Sequence, residues 1–441
     1  MSVGLVVCAC PFLFKVNTQL ITLCSLFIVI NTYLFYNEKI NSMHNVNRIS
    51  YGTIIFPFSV LILSFFFWDK PISFFISIVT LAISDPIASI VGSRSNDHFK
   101  PWRDSKSIQG SLAMFLTTFI VVLFSTDIMA RVFSASFYIP LYILLGLAFF
   151  TALCSSLSEM ISYRGSDNFS IPLITFFSYE IYLINYTHGS LTDLLLWTVI
   201  SAAIFVLAYR LRSVSMSGAI GGFLIGILIF GSGGWTWITP LVFFFITSSI
   251  LSKIRRKTDS RRDLLQILAN GGLPALLALT YFFFSYELAL FAFIGALASA
   301  TADTWATEIG YFSRKDPFLI IGLKSVKKGT SGAISTLGTL GTVAGSLGLA
   351  FSSIMMHYSL KTIVFVAIAG ILGSLIDSIL GQFLQAKFQS NISGEIVENK
   401  HHLNEEYTLV NGVEWIDNNF VNFINTATGA LAAALFIFLY G

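Results

Sequence analysis

Runs of apolar residues long enough to cross a hydrocarbon layer of roughly 30 Å at about 1.5 Å per residue recur along the whole chain, separated by short polar stretches. The pattern predicts helices near 18–36, 51–67, 71–93, 109–125, 138–157, 169–185 and 191–209. A second set falls near 217–232, 233–251, 264–285, 287–312, 330–357, 361–385 and 419–440. This gives about fourteen transmembrane helices and an all-α integral membrane fold. The opening segment, 1–14, is apolar but lacks a basic leader and a small-residue cleavage site, so it reads as part of the mature chain.

The polar stretches then set an orientation, because short cytoplasmic loops collect Lys and Arg. With alternating spans, the segments holding Lys39 with Arg48, Arg94 through Lys106, Arg164, Arg210 with Arg212, Lys253 through Arg262, Arg314 through Lys328, and Lys387 through Lys400 all fall on one face. That face is expected to be cytoplasmic, in the membrane of a prokaryotic cell, with the active loops on the inside. Lys253 through Arg262 reads as a topology anchor, and His401-His402 as a solvated pair.

Composition excludes a soluble enzyme. Hydrophobic residues make up 55% of the chain and charged ones 11%, against about a quarter charged in soluble proteins, and the mean hydropathy is +0.77. A net charge of +3, widely dispersed, argues against a nucleic-acid partner. The four cysteines sit in apolar runs without metal-ligand spacing, so no disulfide or zinc framework is expected.

The few acids within the apolar runs reveal a repeat. Asp85 aligned on Asp303 also aligns Ala88 with Ala306 and Gly92 with Gly310. Lys106 follows Asp85, and Lys324 follows Asp303, by 21 residues, while Glu159 and Asp377 each follow by 74. Asp167-Asn168 before the sixth helix resembles Asp417-Asn418 before the last, and Arg48 corresponds to Arg262. Two parallel copies are expected, 1–212 and 213–441, dividing at the polar Arg212–Ser215 stretch.

A carboxylate inside a membrane helix costs several kcal/mol and is usually kept for function. Asp85, Glu159, Asp303, Glu308 and Asp377 lie about 12 Å or less beneath the basic loops, where hard oxygen ligands suit Mg²⁺ or Mn²⁺. Above them run Lys106-Ser-Ile-Gln-Gly-Ser111 and Lys324-Ser-Val-Lys-Lys-Gly-Thr-Ser-Gly332, each read as opening a helix. A lysine, a metal-binding acid and an anion-binding helix start are the parts of a phosphoryl-transfer site. Gly218, Gly222, Gly226, Gly338, Gly341, Gly345 and Gly348 read as close helix packing instead.

On these motifs the first copy resembles the phytol kinase and dolichol kinase group of CTP-dependent polyprenol kinases, through Asp85-x-x-Ala88-x-x-x-Gly92, Lys106-Ser107-x-x-Gly110-Ser111 and Gly165-x-Asp167-Asn168. The second resembles the phytyl-phosphate kinase family, a multi-pass family with TMEM-type homologues in animals. The matching residues are Arg262-x-x-x-Gln266-x-x-x-Asn270-Gly271, Ala302 through Gly310, Lys324-x-Val326-x-x-Gly329-Thr330-Ser331-Gly332, Asp377-Ser378 and Trp415 through Asn422. The resemblance implies a fusion that phosphorylates an isoprenoid alcohol and then its monophosphate, with CTP as donor and Mg²⁺ as cofactor.

It implies catalytic roles for Asp303, Lys324 and Asp377, and for Asp85, Lys106 and Glu159. Ser107, Gly110, Ser111, Lys327, Lys328, Gly329, Thr330, Ser331 and Gly332 would bind nucleotide phosphate. Asp303, Glu308, Asp377, Asp417, Asn418, Asn422, Asp167 and Asn168 would hold metal. Ser84-Asp85-Pro86 and Gln109 depart from the first group's pattern, so an altered or inactive first copy is one expectation. A cytidylyltransferase forming a CDP-lipid and a two-repeat transporter are the alternatives.

Overall fold

A computed structural model describes residues 2–36, 51–132, 139–255, 261–356, 359–392, 394, 396–398 and 406–440. The Lys39 and Arg48 segment, Lys400 and the His401-His402 pair lie outside them. The chain forms two compact units, Met1–Leu195 and Leu196–Gly441.

The first unit opens with α1 (Ser2–Cys8) and α2 (Cys10–Leu13), followed by α3 (Thr18–Tyr36) and α4 (Gly52–Phe66). The next apolar run is one rod in three parts: α5 (Pro71–Val79), a π-helical stretch over Thr80–Ser84, and α6 (Asp85–Ser93). Pro86 accounts for the widened turn, since it has no N–H to donate and its ring crowds the carbonyl one turn earlier. A hairpin pairs β1 (His98–Phe99) antiparallel with β2 (Lys106–Ser107), and then come α7 (Ile108–Val132), α8 (Leu141–Met160) and α9 (Asp167–Thr187). Phe74, Met114, Leu147, Phe150, Phe176 and Tyr179 are each buried, while Leu26, Val29, Leu116, Ile120 and Phe124 remain exposed, as lipid-facing positions should.

Helix α10 (Leu191–Arg210) carries the division between the units within it. From Leu196 onward it packs on the following helix. Trp197 Nε1 donates to the Gly226 carbonyl at 3.0 Å and its ring stacks on Phe230 at 5.3 Å. Phe205 fills the space over Gly222. The second unit therefore starts inside α10, ahead of the polar 212–215 stretch.

That unit continues with α11 (Met216–Ile254), α12 (Leu264–Phe284) and α13 (Glu287–Gly310). Gly234 interrupts α11 at φ 64°, ψ −151°, a conformation open only to glycine, so the runs expected at 217–232 and 233–251 are the two halves of one kinked element. A hairpin of β3 (Phe318–Leu319) and β4 (Ala333–Ile334) leads into α14 (Thr336–Ser352) and α15 (Leu360–Phe383). A sheet ordered β6–β5–β7, from β5 (Lys387–Ser390), β6 (Ile396–Val397) and β7 (Tyr407–Asn411), precedes α16 (Asn418–Tyr440).

Helix α14 begins at Thr336, later than the run from 330 implied, because Ser335 caps it by accepting the Gly338 N–H at 3.0 Å. Helix α13 is the hub. Gly338, Gly341 and Gly345 let α14 approach its backbone at Ala306, Trp305 and Thr301, and Gly295 and Gly429 do the same between α13 and α16. The glycine runs thus act in packing, as read from the sequence.

All the apolar runs are helical, with ends shifted by a few residues. Among the described residues ten helices are long and apolar enough to span a bilayer, with α4 and α14 as shorter apolar companions. The protein is an all-α, multi-pass integral membrane protein.

Candidate active site

In the second unit the ends of α11, α13 and α15 and the starts of α12, α14 and α16 enclose a cavity of about 1140 Å³. Asp303, Glu308, Asp377, Asp417, Asn418, Asn422, Lys328 and the Gly329–Gly332 turn all line it. Lys324 and Lys327 do not. Both are exposed on the hairpin arm, where the Lys324 carbonyl accepts the Leu319 N–H at 3.0 Å.

Asp303 and Asp377 project from α13 and α15 into the same part of the cavity, near enough for their charges to act on each other. Among the described residues neither has an ion-pair partner, and the buried Oδ2 of Asp377 has no hydrogen-bond partner. Two like-charged carboxylates on one cavity wall without a cation are costly, and a bound cation would offset that cost. Hard oxygens from one or two carboxylates, completed by water and substrate phosphate, are what Mg²⁺ takes. Among the described residues no three His, Cys, Asp or Glu side chains form a metal cage. Asp303 and Asp377 therefore fit such an ion.

Glu308 is engaged differently. Ser252 donates to its Oε1 at 2.9 Å, and Arg255 Nη1 lies 3.4 Å from its Oε2. Arg262 donates to Ser249 and Ser252 at 3.4 Å each. Its main chain is pinned as well, its carbonyl accepting from Ser215 N at 3.0 Å. Burial pulls the Arg262 pKa down while the Glu308 charge opposes that shift. Lys253, Arg255, Arg261 and Arg262, from the segment read as a topology anchor, thus all line the cavity wall.

The Gly-Thr-Ser-Gly turn stands ahead of β4, not at the helix start expected of it. Gly332 has φ +78°, and a β-carbon there would strike Gln382 N and Ser378 O of α15. Ser331 donates to Gln385 Oε1 at 2.6 Å, and Lys387 Nζ donates to the Ser331 carbonyl at 3.2 Å. Burial lowers the Lys387 pKa, against the pull of Glu398. Lys328 donates to the Ser313 carbonyl. Asp417 caps α16, accepting from Phe420 N at 2.9 Å and from Asn419 Nδ2 at 3.2 Å, which leaves the buried Asn419 Oδ1 without a partner.

The sequence reading passed over Arg255 and Asn419, and assigned no role to Gln266 and Asn270, which also line the cavity. Gln266 and Asn270 stand four residues apart on one face of the otherwise apolar α12, and that spacing was the available signal.

In the first unit Lys106 and Glu159 form an ion pair, and the charges of Asp167, Glu159 and Lys106 all act on Asp85. Ser107 caps α7, accepting from Gly110 N at 3.0 Å, while Gly110 packs on Gly92 and the Ala88 carbonyl. Ser111 Oγ is buried without a partner. Asn168 Nδ2 donates to Asp167 Oδ1 at 3.0 Å. Glu180, another acid in an apolar run, pairs with Lys70 at 2.6 Å.

These contacts revise the repeat. Ser107, Gly110, Gly92 and Ala88 meet as Ser335, Gly338, Gly310 and Ala306 do. Ser107 follows Gly92 by 15 residues but Ser335 follows Gly310 by 25, so the second copy carries a longer loop. Ile334, not Lys324, stands where Lys106 stands.

A family description, integral membrane protein DUF92, matches residues 199–430, more than half of the chain. The chain belongs to this DUF92 family. Among its relatives, an uncharacterized membrane protein of Methanocaldococcus jannaschii is 28% identical over 234 residues, 52% of this chain and 94% of the relative. Protein PGR of Arabidopsis thaliana is 30% identical over 263 residues, 52% of this chain and 90% of PGR. A phytol kinase of Synechocystis is 33% identical over 135 residues, 30% of this chain and 54% of that kinase. No solved structure matches the chain.

Proposed function

We propose that this DUF92 protein is a membrane phosphotransferase that converts a long-chain isoprenoid alcohol, or its monophosphate, toward the diphosphate, with CTP as donor and Mg²⁺ as cofactor. The observation that carries the reading is the pair of uncompensated carboxylates, Asp303 and Asp377, beneath a cavity rim that holds Arg255, Arg262, Lys328 and a glycine-bounded turn. The likeness to a phytol kinase supports the same chemistry.

Each part has a task. Asp303 and Asp377 would hold the metal, which when bound offsets charge on the transferring phosphoryl oxygens. Arg262 and Lys328 hold the anionic ends of donor and acceptor together, which removes much of the entropic barrier to an in-line transfer. The backbone of the 329–332 turn offers N–H groups to phosphate oxygen. A prenyl monophosphate is already ionised and needs this cationic rim more than a base. The first unit, with Asp85 beside Lys106 and Glu159, has a carboxylate suited to taking the proton of an alcohol acceptor.

The test uses purified protein in lipid nanodiscs with Mg²⁺, γ-labelled CTP, and phytol, farnesol or geranylgeranyl phosphate. Labelled mono- and diphosphates are expected, and Asp303→Asn is expected to stop diphosphate formation. Absence of label transfer to every prenyl acceptor refutes the kinase reading, and release of pyrophosphate with CMP retained on the lipid replaces it with cytidylyl transfer.

A further inference from the structure

The cavity reaches sideways as well as down. On α14 the face toward α13 carries Gly338, Gly341 and Gly345, and the face toward α15 carries Ser346, whose hydroxyl donates to the Ala367 carbonyl at 2.7 Å. At about 100° per residue, Val343 falls between that face and the outward one that holds Leu340 and Leu347. On α15 the inward positions are Gly370 and the buried Ser374, and Leu375 falls between them and the outward Ile368 and Leu372. Val343 and Leu375 both line the cavity, yet each is 37% exposed.

The two helices therefore meet at a seam that Ser346 and Ala367 close at its deep end and that opens into the cavity above. Asp303 stands at this level, since the Trp305 and Thr301 carbonyls on either side of it lie against Gly341 and Gly345. Ile371, also in the cavity wall, is about 18 Å from the polar end of α15, well inside the hydrocarbon layer. One space thus grades from cations and carboxylates toward Val343, Ile371 and Leu375, with Thr342 and Ser374 next to them in the chain.

We infer that the seam between α14 and α15 is the lateral entrance and the berth of the substrate's isoprenoid chain, an inference that rests on the phosphotransferase reading above. An amphiphile with an anionic head and an apolar tail matches the gradient. Its tail never has to leave the bilayer while its phosphate reaches Asp303 and Asp377. The hydroxyls nearest the seam, on Thr339 and Thr342, already donate to the Ser335 and Gly338 carbonyls of their own helix, so a tail lying there leaves neither of them unbonded.

The full-length chain in nanodiscs tests this with two acceptors, geranylgeranyl phosphate and the short, water-soluble isopentenyl phosphate. Val343→Trp and Leu375→Trp each fill the seam. The expected result is a fall of about tenfold or more in kcat/KM for the long acceptor, with the short one held within about twofold. Equal losses for both acceptors, or none for the long one, overturn the inference. A geranylgeranyl phosphate bearing a terminal diazirine, photolysed on the unmodified protein, reads the berth without turnover. Adducts within 339–347 and 364–375 are expected, and adducts confined to other helices overturn it. Should the unmodified protein phosphorylate neither acceptor, the functional reading fails while the labelling still decides the entrance.

Discussion

Glu308 offers the sharpest test of how the cavity wall is held. Its carboxylate accepts from Ser252 at 2.9 Å and faces Arg255 at 3.4 Å, with the Arg255 side chain 19% and the Glu308 side chain 7% exposed. Glu308→Ala removes one partner from a largely buried pair and leaves Arg255, near the half-buried Arg262, with only its stacking on Tyr311, a change that costs about 3–5 kcal/mol in comparable sites. The residual exposure of Arg255 places the loss at the lower end, about 3 kcal/mol. For a unit of this size that corresponds to a fall of about 6–12 °C in Tm. Glu308→Gln keeps the acceptor for Ser252 and should lose roughly half as much. Pairing Glu308→Gln with Arg255→Met should recover most of the loss, giving a coupling of about 1–3 kcal/mol in a double-mutant cycle. The assay is thermal unfolding in detergent, followed by size exclusion, with Mg²⁺ titrated in parallel. If Glu308→Gln leaves Tm unchanged but weakens Mg²⁺ binding tenfold or more, Glu308 is a metal ligand and the strut argument fails.

Asp303→Asn and Asp377→Asn should abolish transfer yet leave Tm unchanged or raised, because each removes one of two like charges without a counterion. A drop in Tm equal to that of Glu308→Ala would show that the pair is structural. Gly332→Ala should cost about 1–2 kcal/mol from the left-handed backbone alone, more with the collision against α15, and raise KM for nucleotide. An unchanged KM would remove the 329–332 turn from the site. Lys106→Met should destabilise the chain by about 3 kcal/mol by leaving Glu159 unpaired, with Lys106→Met/Glu159→Gln returning most of it, as thermal unfolding would register. Lys324→Ala should leave transfer within about twofold, whereas Lys328→Ala lowers it about tenfold or more. The reverse order would restore Lys324 to the site.

The helices and the buried acids were legible because the bilayer writes them into the chain. A spanning helix needs about twenty apolar residues, and any Asp among them stands out. Asp303 and Asp377, 74 residues apart in sequence, do share one cavity wall. Spacing misled at Lys324, whose distance from Asp303 equals that of Lys106 from Asp85 although the intervening loops differ in length. A gapless register has no way to sense a hairpin such as β3–β4, because strand pairing at Phe318 and Ile334 is a property of two segments at once. Arg255 was hidden for the same reason, since its partner Glu308 lies 53 residues away and only folding shows that a basic loop is turned inward.

The revised register also explains why two copies of one helical framework need not do the same thing. In the first, Lys106 precedes the capping Ser107 and neutralises Glu159 from within the chain. In the second, Ile334 precedes the capping Ser335, and Asp377 is left without that cation. A buried acid must be balanced by something, and the loss of the lysine leaves that task to a proton or a bound cation. The additional loop supplies Lys328 and the 329–332 turn to the cavity lining, so the same insertion that removes a fixed cation from the floor brings a lysine and a glycine-bounded turn to the wall. An acid paired from within the chain in the first unit, Glu159, and an unpaired one in the second, Asp377, thus accompany a single change in loop length. The second unit should therefore gain far more stability from metal and nucleotide than the first, because binding to the folded state alone stabilises it in proportion to ligand concentration.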